Sequence, residues 1–344
     1  MPASRTVSLL NRYKLRIRRK RLLWRAFQKR REFACIQRKT GSIKGNDILL
    51  FACLRNEMQR LPHFVEHYRQ AGIDHFLFVD NGSSDGSVEF LRQQPDVSIW
   101  QTEKSYKASR FGMDWITALQ WKYGADHWCV TVDIDELFIY PDWPERNLKQ
   151  LTADLAKDGC VAMGAMMLDL FPKGPLSTAV VKDKENPVKT IPWFDASGYF
   201  AQKHQKMGNV QLQGGPRTRC FFANDPYRGP TLNKVPLVFW RKPYVYVDST
   251  HIALPAHLNR VYDTKGARTE KGVLLHTKFL SDAPERANQE KSRQEHFAYA
   301  GSYDDYYDAV AGDPDLWAND SVRFESAEQL ISLGLMGRAD HTRR

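Results

Sequence analysis

The sequence predicts an α/β fold in which a mostly parallel, Rossmann-like central sheet is flanked by helices, with a basic arm at the N-terminus. Short apolar runs alternate with helical patterns from residue 47 to residue 138, and each of the first four runs ends in polar residues. Strands and helices in this order form parallel sheets through right-handed crossovers. A chain of 344 residues, of which 42% are hydrophobic, is long enough to bury such a sheet.

The first half of the chain shows its elements clearly. DILLFACLR, from residue 47, is a continuous apolar run that fits a strand buried on both faces. Leu61-Pro62 predicts a helix start and Gly72 predicts its end. The turn-rich sequence DNGSSDG separates the second strand from the second helix. The predicted strands cover residues 47–55, 75–79, 97–101 and 128–132, and the predicted helices cover residues 61–71, 87–92 and part of 107–123.

The second half of the chain is less regular. A helix is predicted over residues 148–156, before an apolar strand over residues 166–171 that carries Asp169. A short apolar strand over residues 273–279 carries His276. The tail, residues 301–344, predicts a pair of solvated helices without an assigned function.

The charge of the chain is concentrated in its N-terminal arm. Residues 1–46 hold 15 Lys or Arg and one Glu, which is +14, whereas the other 298 residues hold 35 basic and 39 acidic residues, which is −4. Between residues 12 and 31 the basic residues are mixed with Trp, Tyr, Phe, Leu and Ile, and these apolar residues are predicted to lie roughly on one side of a helix. Such a stretch is typical of a helix that binds an anionic membrane surface. A helix that simply packs on the domain is the main alternative, and nucleic acid is a less favoured partner.

Cysteine usage and hydropathy predict the compartment. The five cysteines are scattered without metal-knuckle spacing, which indicates reduced thiols. No apolar run approaches the roughly 20 residues that a membrane-spanning helix needs, and the N-terminal charge pattern differs from that of a secretion signal. A cytoplasmic protein is therefore predicted, held by its arm at the inner face of the cell membrane.

An acidic cluster follows the fourth strand. Asp133, Asp135 and Glu136 lie within four positions of one another, directly after the apolar run WCVTV. Like charges beside a buried strand repel unless a positive charge neutralises them, and a divalent cation is the usual one. Exposed acids at a helix N-terminus are the alternative.

Polar residues from three strands are expected to meet at one edge of the sheet. Arg55 and Glu57 follow the first strand, Asp80 the second, and the acidic cluster the fourth. Open parallel sheets bind ligands at this carboxyl edge. No Gly-x-Gly-x-x-Gly follows the first strand and no P-loop sequence occurs, which argues against a dinucleotide site and a P-loop. Hard oxygen ligands suit Mg²⁺ or Mn²⁺ held partly by a substrate diphosphate.

Three motifs carry a resemblance to a known family. CLRNE (residues 53–57), VDNGSSDGS (residues 79–87) and DIDELF (residues 133–138) occur in the order and at the spacing found in family 2 glycosyltransferases of the GT-A fold. The chain is most similar to the branch that resembles family 92. The resemblance spans roughly residues 47–300, and it implies a nucleotide-diphosphate sugar donor, Mn²⁺ or Mg²⁺, and an inverting single displacement.

The resemblance also implies roles for individual residues. Asp133 and Asp135 match the metal motif, and Asp133 also belongs to the donor site. His276 matches a position that often holds a further metal ligand or contacts the diphosphate, and His251 is a weaker second choice. The positions that match donor-nucleotide contacts are Arg55, Glu57, Asp80 and Arg110, with Gly112 beside the last.

The catalytic base is expected in the second half of the chain. An inverting transfer needs a carboxylate or a histidine to take the proton of the acceptor hydroxyl. Asp169 is the first candidate, with Asp195 and Glu295 as alternatives, although Asp169 could equally cap a turn before Pro172.

Further basic residues suit phosphate. Arg217 and Arg219 follow a glycine-rich turn and are expected to contact the diphosphate or the acceptor. Lys278 and Lys291 lie close enough in sequence to help bind phosphate.

The predicted protein is thus a metal-dependent inverting glycosyltransferase that uses a polysaccharide or lipid-linked acceptor. Its predicted parts are an arm (1–46), a domain (47–300) with a nucleotide-binding half (47–140) and an acceptor half (141–300), and a tail (301–344). A non-catalytic GT-A-like protein whose arm binds membrane or nucleic acid is the alternative. A phosphatase of the haloacid-dehalogenase type is disfavoured, because its nucleophilic Asp lies on the chain's first strand.

Overall fold

A computed structural model describes residues 9–182, 185–204, 207–262, 270–293 and 304–339. Glu295 lies outside the described residues. The helices are α1 (Leu9–Lys29), α2 (Leu61–Ala71), α3 (Ser87–Arg92), α4 (Met113–Leu119), α5 (Leu148–Lys157), α6 (Pro187–Thr190), α7 (Gly215–Phe221), α8 (Ala283–Arg293), α9 (Asp304–Ala311) and α10 (Ala327–Ser332). The strands are β1 (Ala34–Gln37), β2 (Ile48–Leu54), β3 (His75–Asp80), β4 (Val97–Gln101), β5 (Trp128–Thr131), β6 (Glu136–Ile139), β7 (Ala162–Asp169), β8 (Trp193–Asp195), β9 (Tyr199–His204), β10 (Asn209–Gly214), β11 (Asn233–Phe239), β12 (Val245–Asp248), β13 (Ile252–Leu254), β14 (Lys271–His276) and β15 (Ser321–Arg323).

A nine-stranded sheet organises the domain, in the order β1-β4-β3-β2-β5-β11-β7-β14-β6. Strands β4, β3, β2 and β5 are mutually parallel, and β14 is parallel to β7. Strand β11 lies antiparallel between β5 and β7, and the edge strands β1 and β6 are also antiparallel to their neighbours. The predicted α/β architecture with mostly parallel strands is confirmed, but the sheet is mixed.

The sheet is buried on both faces because its strands alternate between two cores. On β2, Leu50 and Ala52 pack in the core that contains α2 and α5, whereas Leu49 and Phe51 pack in the core that contains α4. Burial of a leucine or phenylalanine side chain contributes about 1.5–3 kcal/mol. The continuous apolar run that starts at residue 47 is explained by this two-sided burial.

The helix predicted within residues 107–123 is broken into three pieces, which corrects the prediction. A 3-10 turn covers Lys107–Ser109, α4 covers Met113–Leu119, and a π-helical turn covers Gln120–Gly124. Arg110, Phe111 and Gly112 have φ values of 56°, 56° and 75°. Consecutive left-handed residues cannot continue a right-handed helix.

The two ends of the chain pack on this domain. Helix α1 contacts α4 and β12, and α9 contacts α8. In the tail, strand β15 pairs with β8, so the described part of the tail contains a strand as well as the predicted helices. None of the described helices has the length and apolar character needed to cross a membrane.

Candidate active site

The carboxyl edge of the sheet brings most of the predicted residues together. In the register of the sheet, Leu54 lies beside Asp80 on β2 and β3, and Phe51 lies beside Thr131 on β2 and β5. The segments that follow these strands therefore emerge side by side. Strands β6, β14 and β7 align in the same way, because His276 pairs with Glu136 on one side and with Asp169 on the other.

Asp80 holds the loop that follows β3. Its buried carboxylate accepts hydrogen bonds from the backbone N–H of Gly82 (3.1 Å) and Ser83 (3.2 Å), and from Nε2 of Gln101 (3.0 Å). The exposed Arg55 donates from Nη1 to the carbonyl of Asn81 at 2.8 Å. These contacts shape the edge at which a nucleotide was predicted, with the Arg55 guanidinium on its surface.

Glu57 belongs to an ion-pair network that the sequence did not reveal. Its carboxylate lies 2.7 Å from Arg286 and 3.4 Å from Arg60. Arg60 is buried and binds both oxygens of Asp282 at 2.9 Å. Burial raises the pKa of Glu57, and the two guanidinium groups oppose that rise. The network connects the end of β2 to α8, so the described contacts of Glu57 are internal to the protein.

A buried lysine neutralises the first part of the acidic cluster. Lys234 on β11 is only 3% exposed, and its Nζ lies 3.2 Å from Oδ2 of Asp133 and 2.9 Å from Oε1 of Glu136. The other oxygen of Glu136 accepts the backbone N–H of Asp133 at 3.1 Å. Burial lowers the pKa of Lys234, but the two carboxylates reverse this and raise it. A lysine within the apolar run NKVPLVF was the available signal for this internal cation.

A second chain of charges joins Asp135 to Arg217 through His276. Nε2 of His276 lies 3.1 Å from Oδ2 of Asp135, and its Nδ1 lies 2.6 Å from Oδ1 of Asp169. Nε of Arg217, on α7, donates to Oδ2 of Asp169 at 2.7 Å. Burial lowers the pKa of His276, but the two carboxylates raise it above its ordinary value. Burial also opposes the ionisation of Asp135, yet His276 holds the pKa of Asp135 well below its usual range.

Asp169 is placed to orient His276. It is 1% exposed, and both of its oxygens are engaged by basic side chains. Burial raises its pKa, but Arg217 and His276 lower it below the ordinary value. These contacts favour a positioning role, and the general-base role stays a prediction. Asp195, the alternative base, is paired through both oxygens with Arg219 at 2.9 and 3.0 Å.

Arg219 and Asp195 lie at a cleft beside the ion pairs that link Asp135, His276, Asp169 and Arg217, which we call the charge chain. The cleft has a volume of about 420 Å³ and shares α7 with the site, because Arg217 and Arg219 extend from the same helix. Its lining includes the exposed Tyr227, which meets Phe200 edge-on at 5.3 Å. Polar and aromatic side chains thus line the cleft together.

Three predicted residues, Arg110, Lys291 and His251, are bonded to groups outside these ion pairs. Arg110 donates to Asp114 (2.8 Å) and to the carbonyl of Tyr246 (2.7 Å), and Lys291 pairs with Asp308. His251 is bonded to the Asn233 carbonyl at 2.7 Å, and burial lowers its pKa to about 3. Lys278 lies near Asp135, where its charge helps to lower the carboxyl pKa. Gly112 borders the site, since a side chain there would collide with Sγ of Cys53.

Asp135 and His276 fit a divalent metal as a pair. Two ligands of an octahedral ion with bonds of about 2.1 Å lie about 3 Å apart, which matches the 3.1 Å between Oδ2 and Nε2. If Nδ1 donates to Asp169, as in many carboxylate–histidine–metal sites, Nε2 keeps its lone pair for the ion. Among the described residues, no group of three His, Cys, Asp or Glu side chains could hold an ion alone. Further ligands would have to come from a substrate or from water.

Comparisons with known proteins do not assign a family. No family model matches the chain, and no curated protein matches it. Among solved structures, a UDP-glucose pyrophosphorylase from Acinetobacter baumanii matches with a TM-score of 0.26 and 10% sequence identity, over 56% of this chain and 73% of that one. This likeness is too slight to indicate an activity.

Proposed function

We propose that this protein is a GT-A-type, metal-dependent inverting glycosyltransferase that transfers a sugar from a nucleotide-diphosphate sugar to a polysaccharide or lipid-linked acceptor. The observation that carries the proposal is the pair formed by Asp135 and His276, whose Oδ2 and Nε2 atoms are 3.1 Å apart at the carboxyl edge of the sheet. A ligand pair at this edge, beside a loop rigidly held by Asp80, suits a donor that brings its own diphosphate oxygens.

The nucleotide would lie over the ends of β2 and β3. Arg55 is exposed there, and the loop after β3 is held from two sides, by Asp80 and by the Asn56 side chain, which accepts the Ser84 N–H at 2.8 Å. A preformed loop loses little conformational entropy when a ligand binds. The order of the CLRNE, VDNGSSDGS and DIDELF motifs supports a nucleotide at this position.

Mn²⁺ or Mg²⁺ would be held by Asp135 and His276, with Asp133 on the same turn. When bound, the ion would neutralise the negative charge that develops on the departing diphosphate. Asp169 and Arg217 would keep the His276 ring in place. Lys234 balances the charge of Asp133 and Glu136 and thereby stabilises the turn that presents Asp135.

The acceptor would enter from the cleft beside α7. Tyr227 and Phe200 supply aromatic surface against which a sugar ring can pack, and the Asp195 and Arg219 pair supplies polar groups at its wall. Helix α7 connects this cleft to the charge chain through Arg217. The proton of the acceptor hydroxyl would be taken by a carboxylate near this boundary, for which Asp169 and Asp195 are the described candidates.

The test is a thermal-shift screen of UDP-, GDP- and TDP-sugars, each with and without Mn²⁺, followed by hydrolysis and transfer assays. We expect a Mn²⁺-dependent rise in Tm with one nucleotide class. Asp135→Asn should abolish the rise. Asp126→Asn, an exposed acid that pairs with Arg241, is the matched control and should keep it. Absence of both hydrolysis and transfer with every donor would refute the proposal.

A non-catalytic binding protein on the same scaffold is the second candidate. The observation that favours it is that Lys234 and His276 already balance the acidic cluster without a metal. This candidate predicts that nucleotide-sugars bind without Mn²⁺ dependence and without turnover. The same screen therefore separates the two.

A further inference from the structure

Helix α1 packs on the domain with one face. Leu15, Leu22 and Leu23 contact a cluster formed by Met207, Val245, Val247 and Leu254, and Ala26 is buried. At 100° per residue, these four positions lie on one side of the helix, as expected for a helix that covers a surface. The apolar residues of the arm were predicted to share one side of a helix, but the side that packs on the domain contains only some of them.

Several other apolar residues of α1 form a second, outward face. Trp24 is 61% exposed, and Leu10, Tyr13 and Phe27 are also exposed. At 100° per residue, these four side chains fall within about a third of a turn of one another. Trp24 and Phe27 stack with their ring centroids 5.5 Å apart. We call these four residues the outward face of α1.

Positive charge surrounds the outward face. Helix α1 contains nine basic residues and no acidic one. The guanidinium of Arg30, directly after the helix, lies 3.5 Å from the centroid of the Phe27 ring. The basic residues of the helix are Arg12, Lys14, Arg16, Arg18, Arg19, Lys20, Arg21, Arg25 and Lys29.

We propose that the outward face of α1 docks in the plane of an anionic lipid bilayer. Aromatic and aliphatic side chains would enter the boundary between headgroups and acyl chains, while the flanking Lys and Arg side chains reach the anionic headgroups. A nucleic acid would use the charges but would leave Leu10 and Trp24 in contact with solvent or phosphate. A second copy of the chain would bring together two faces of the same strong charge. The bilayer is therefore the occupant that matches both the apolar and the charged residues.

Docking through α1 would also set the orientation of the domain. Nε of Arg25 donates to the buried Asp114 on α4 at 2.6 Å, and Asp114 also accepts from Arg110 at 2.8 Å. Glu32, the single acid of residues 1–46, accepts from Nε1 of Trp115 at 3.0 Å and from Lys29 at 2.6 Å. The helix is thus attached to the domain by ion pairs as well as by packing. Binding of α1 to a membrane would therefore fix the orientation of the domain relative to the bilayer. This proposal is independent of the proposed transferase activity.

The test uses the full chain and sedimentation with sucrose-loaded vesicles of phosphatidylcholine, with and without 30% phosphatidylserine. We expect binding that requires phosphatidylserine and weakens as NaCl is raised. Trp24→Ala/Phe27→Ala should bind about tenfold more weakly, because interfacial binding scales with buried apolar area. Trp121→Ala removes a tryptophan that is 49% exposed outside α1, and this matched control should bind as the wild type does.

A second measurement keeps the test independent of folding defects. Brominated lipids should quench the tryptophan fluorescence of the wild type more than that of Trp24→Phe, a variant that keeps an apolar side chain at the interface. Equal vesicle binding by the double variant and the wild type would overturn the proposal. So would binding to duplex DNA or RNA that is lost in Arg16→Gln/Lys20→Gln but kept in the aromatic double variant, together with no binding to anionic vesicles.

Discussion

Nε2 of His276 and Oδ2 of Asp135 are 3.1 Å apart, although the two residues are separated by 141 positions in sequence. The other nitrogen of the same ring is held by Asp169 at 2.6 Å. A proton or a metal ion can occupy the space between Asp135 and His276, but both cannot bind Nε2 together. Acid and metal should therefore compete at this pair.

The first prediction concerns the stability of the metal-free protein. Protonated His276 lies between two carboxylates, so its folded pKa is above the 6.5 of an ordinary histidine. Its contribution is fully present below about pH 6.5 and is lost as pH rises through the folded pKa. The free energy of unfolding, measured with urea in EDTA from pH 6 to pH 9, should decrease in the wild type relative to His276→Asn. Buried histidines whose pKa is lowered, such as His251, add a rise of the opposite sign to both proteins. Burial raises the pKa of Glu136 to about 7, so ionisation of Glu136 also lowers the free energy of unfolding as pH rises, in both proteins. Parallel curves for the two proteins would contradict the prediction.

The second prediction concerns Asp169. As a positioning residue it should affect metal binding, so Asp169→Asn should weaken Mn²⁺ affinity by about 10–100-fold. Isothermal titration calorimetry measures this without turnover. As a general base it would instead lower kcat and leave the Mn²⁺ affinity unchanged. Asp169→Glu is the conservative comparison, because it keeps the charge beside Arg217.

The third prediction concerns the buried Lys234. Lys234→Met leaves Asp133 and Glu136 without their cation, and breaking a buried ion pair costs about 3–5 kcal/mol. Adding Glu136→Gln removes one of the uncompensated charges and should restore part of the loss. Urea unfolding of the two single variants and the double variant gives the coupling energy. Strictly additive effects would show that Lys234 and Glu136 do not interact as the geometry indicates.

The fourth prediction concerns Gly112, which has φ = +75° and at which an added Cβ atom would lie 2.5 Å from Sγ of Cys53. Gly112→Ala should lower the free energy of unfolding by more than Gly159→Ala. Gly159 has a similar φ of +70° but no atom within 4 Å of the added carbon, so it isolates the backbone strain of about 1–2 kcal/mol. Cys53→Ala should partly rescue Gly112→Ala. Equal losses in the two glycine variants would exclude the steric contact as the cause.

Local sequence signals were sufficient for the strands and helices between residues 47 and 101, but not for the broken helix within residues 107–123. Strand β4 and helix α3 have the predicted bounds, and α2 begins at Leu61 and ends before Gly72 as predicted. Apolar run length, Pro62 at the helix start and a left-handed glycine at its end act over a few residues. The sequence also located the polar residues at the strand ends, since the order of strands and helices determines which ends share an edge.

The charge partners were decided by the tertiary structure. Lys234 is 101 positions from Asp133, and Arg286 is 229 positions from Glu57. No local pattern relates such residues, because their contact depends on strand β11 entering the sheet between β5 and β7 and on α8 reaching the end of β2. The two faces of α1 were decided in the same way, since only the docked helix shows which leucines are covered and that Trp24 is not. The sequence by itself thus determined the acids and the edge at which they lie. The fold determined the partners that are distant in sequence, such as Lys234 and His276, because burial makes a compensating charge necessary and only long-range packing brings these residues to the acids.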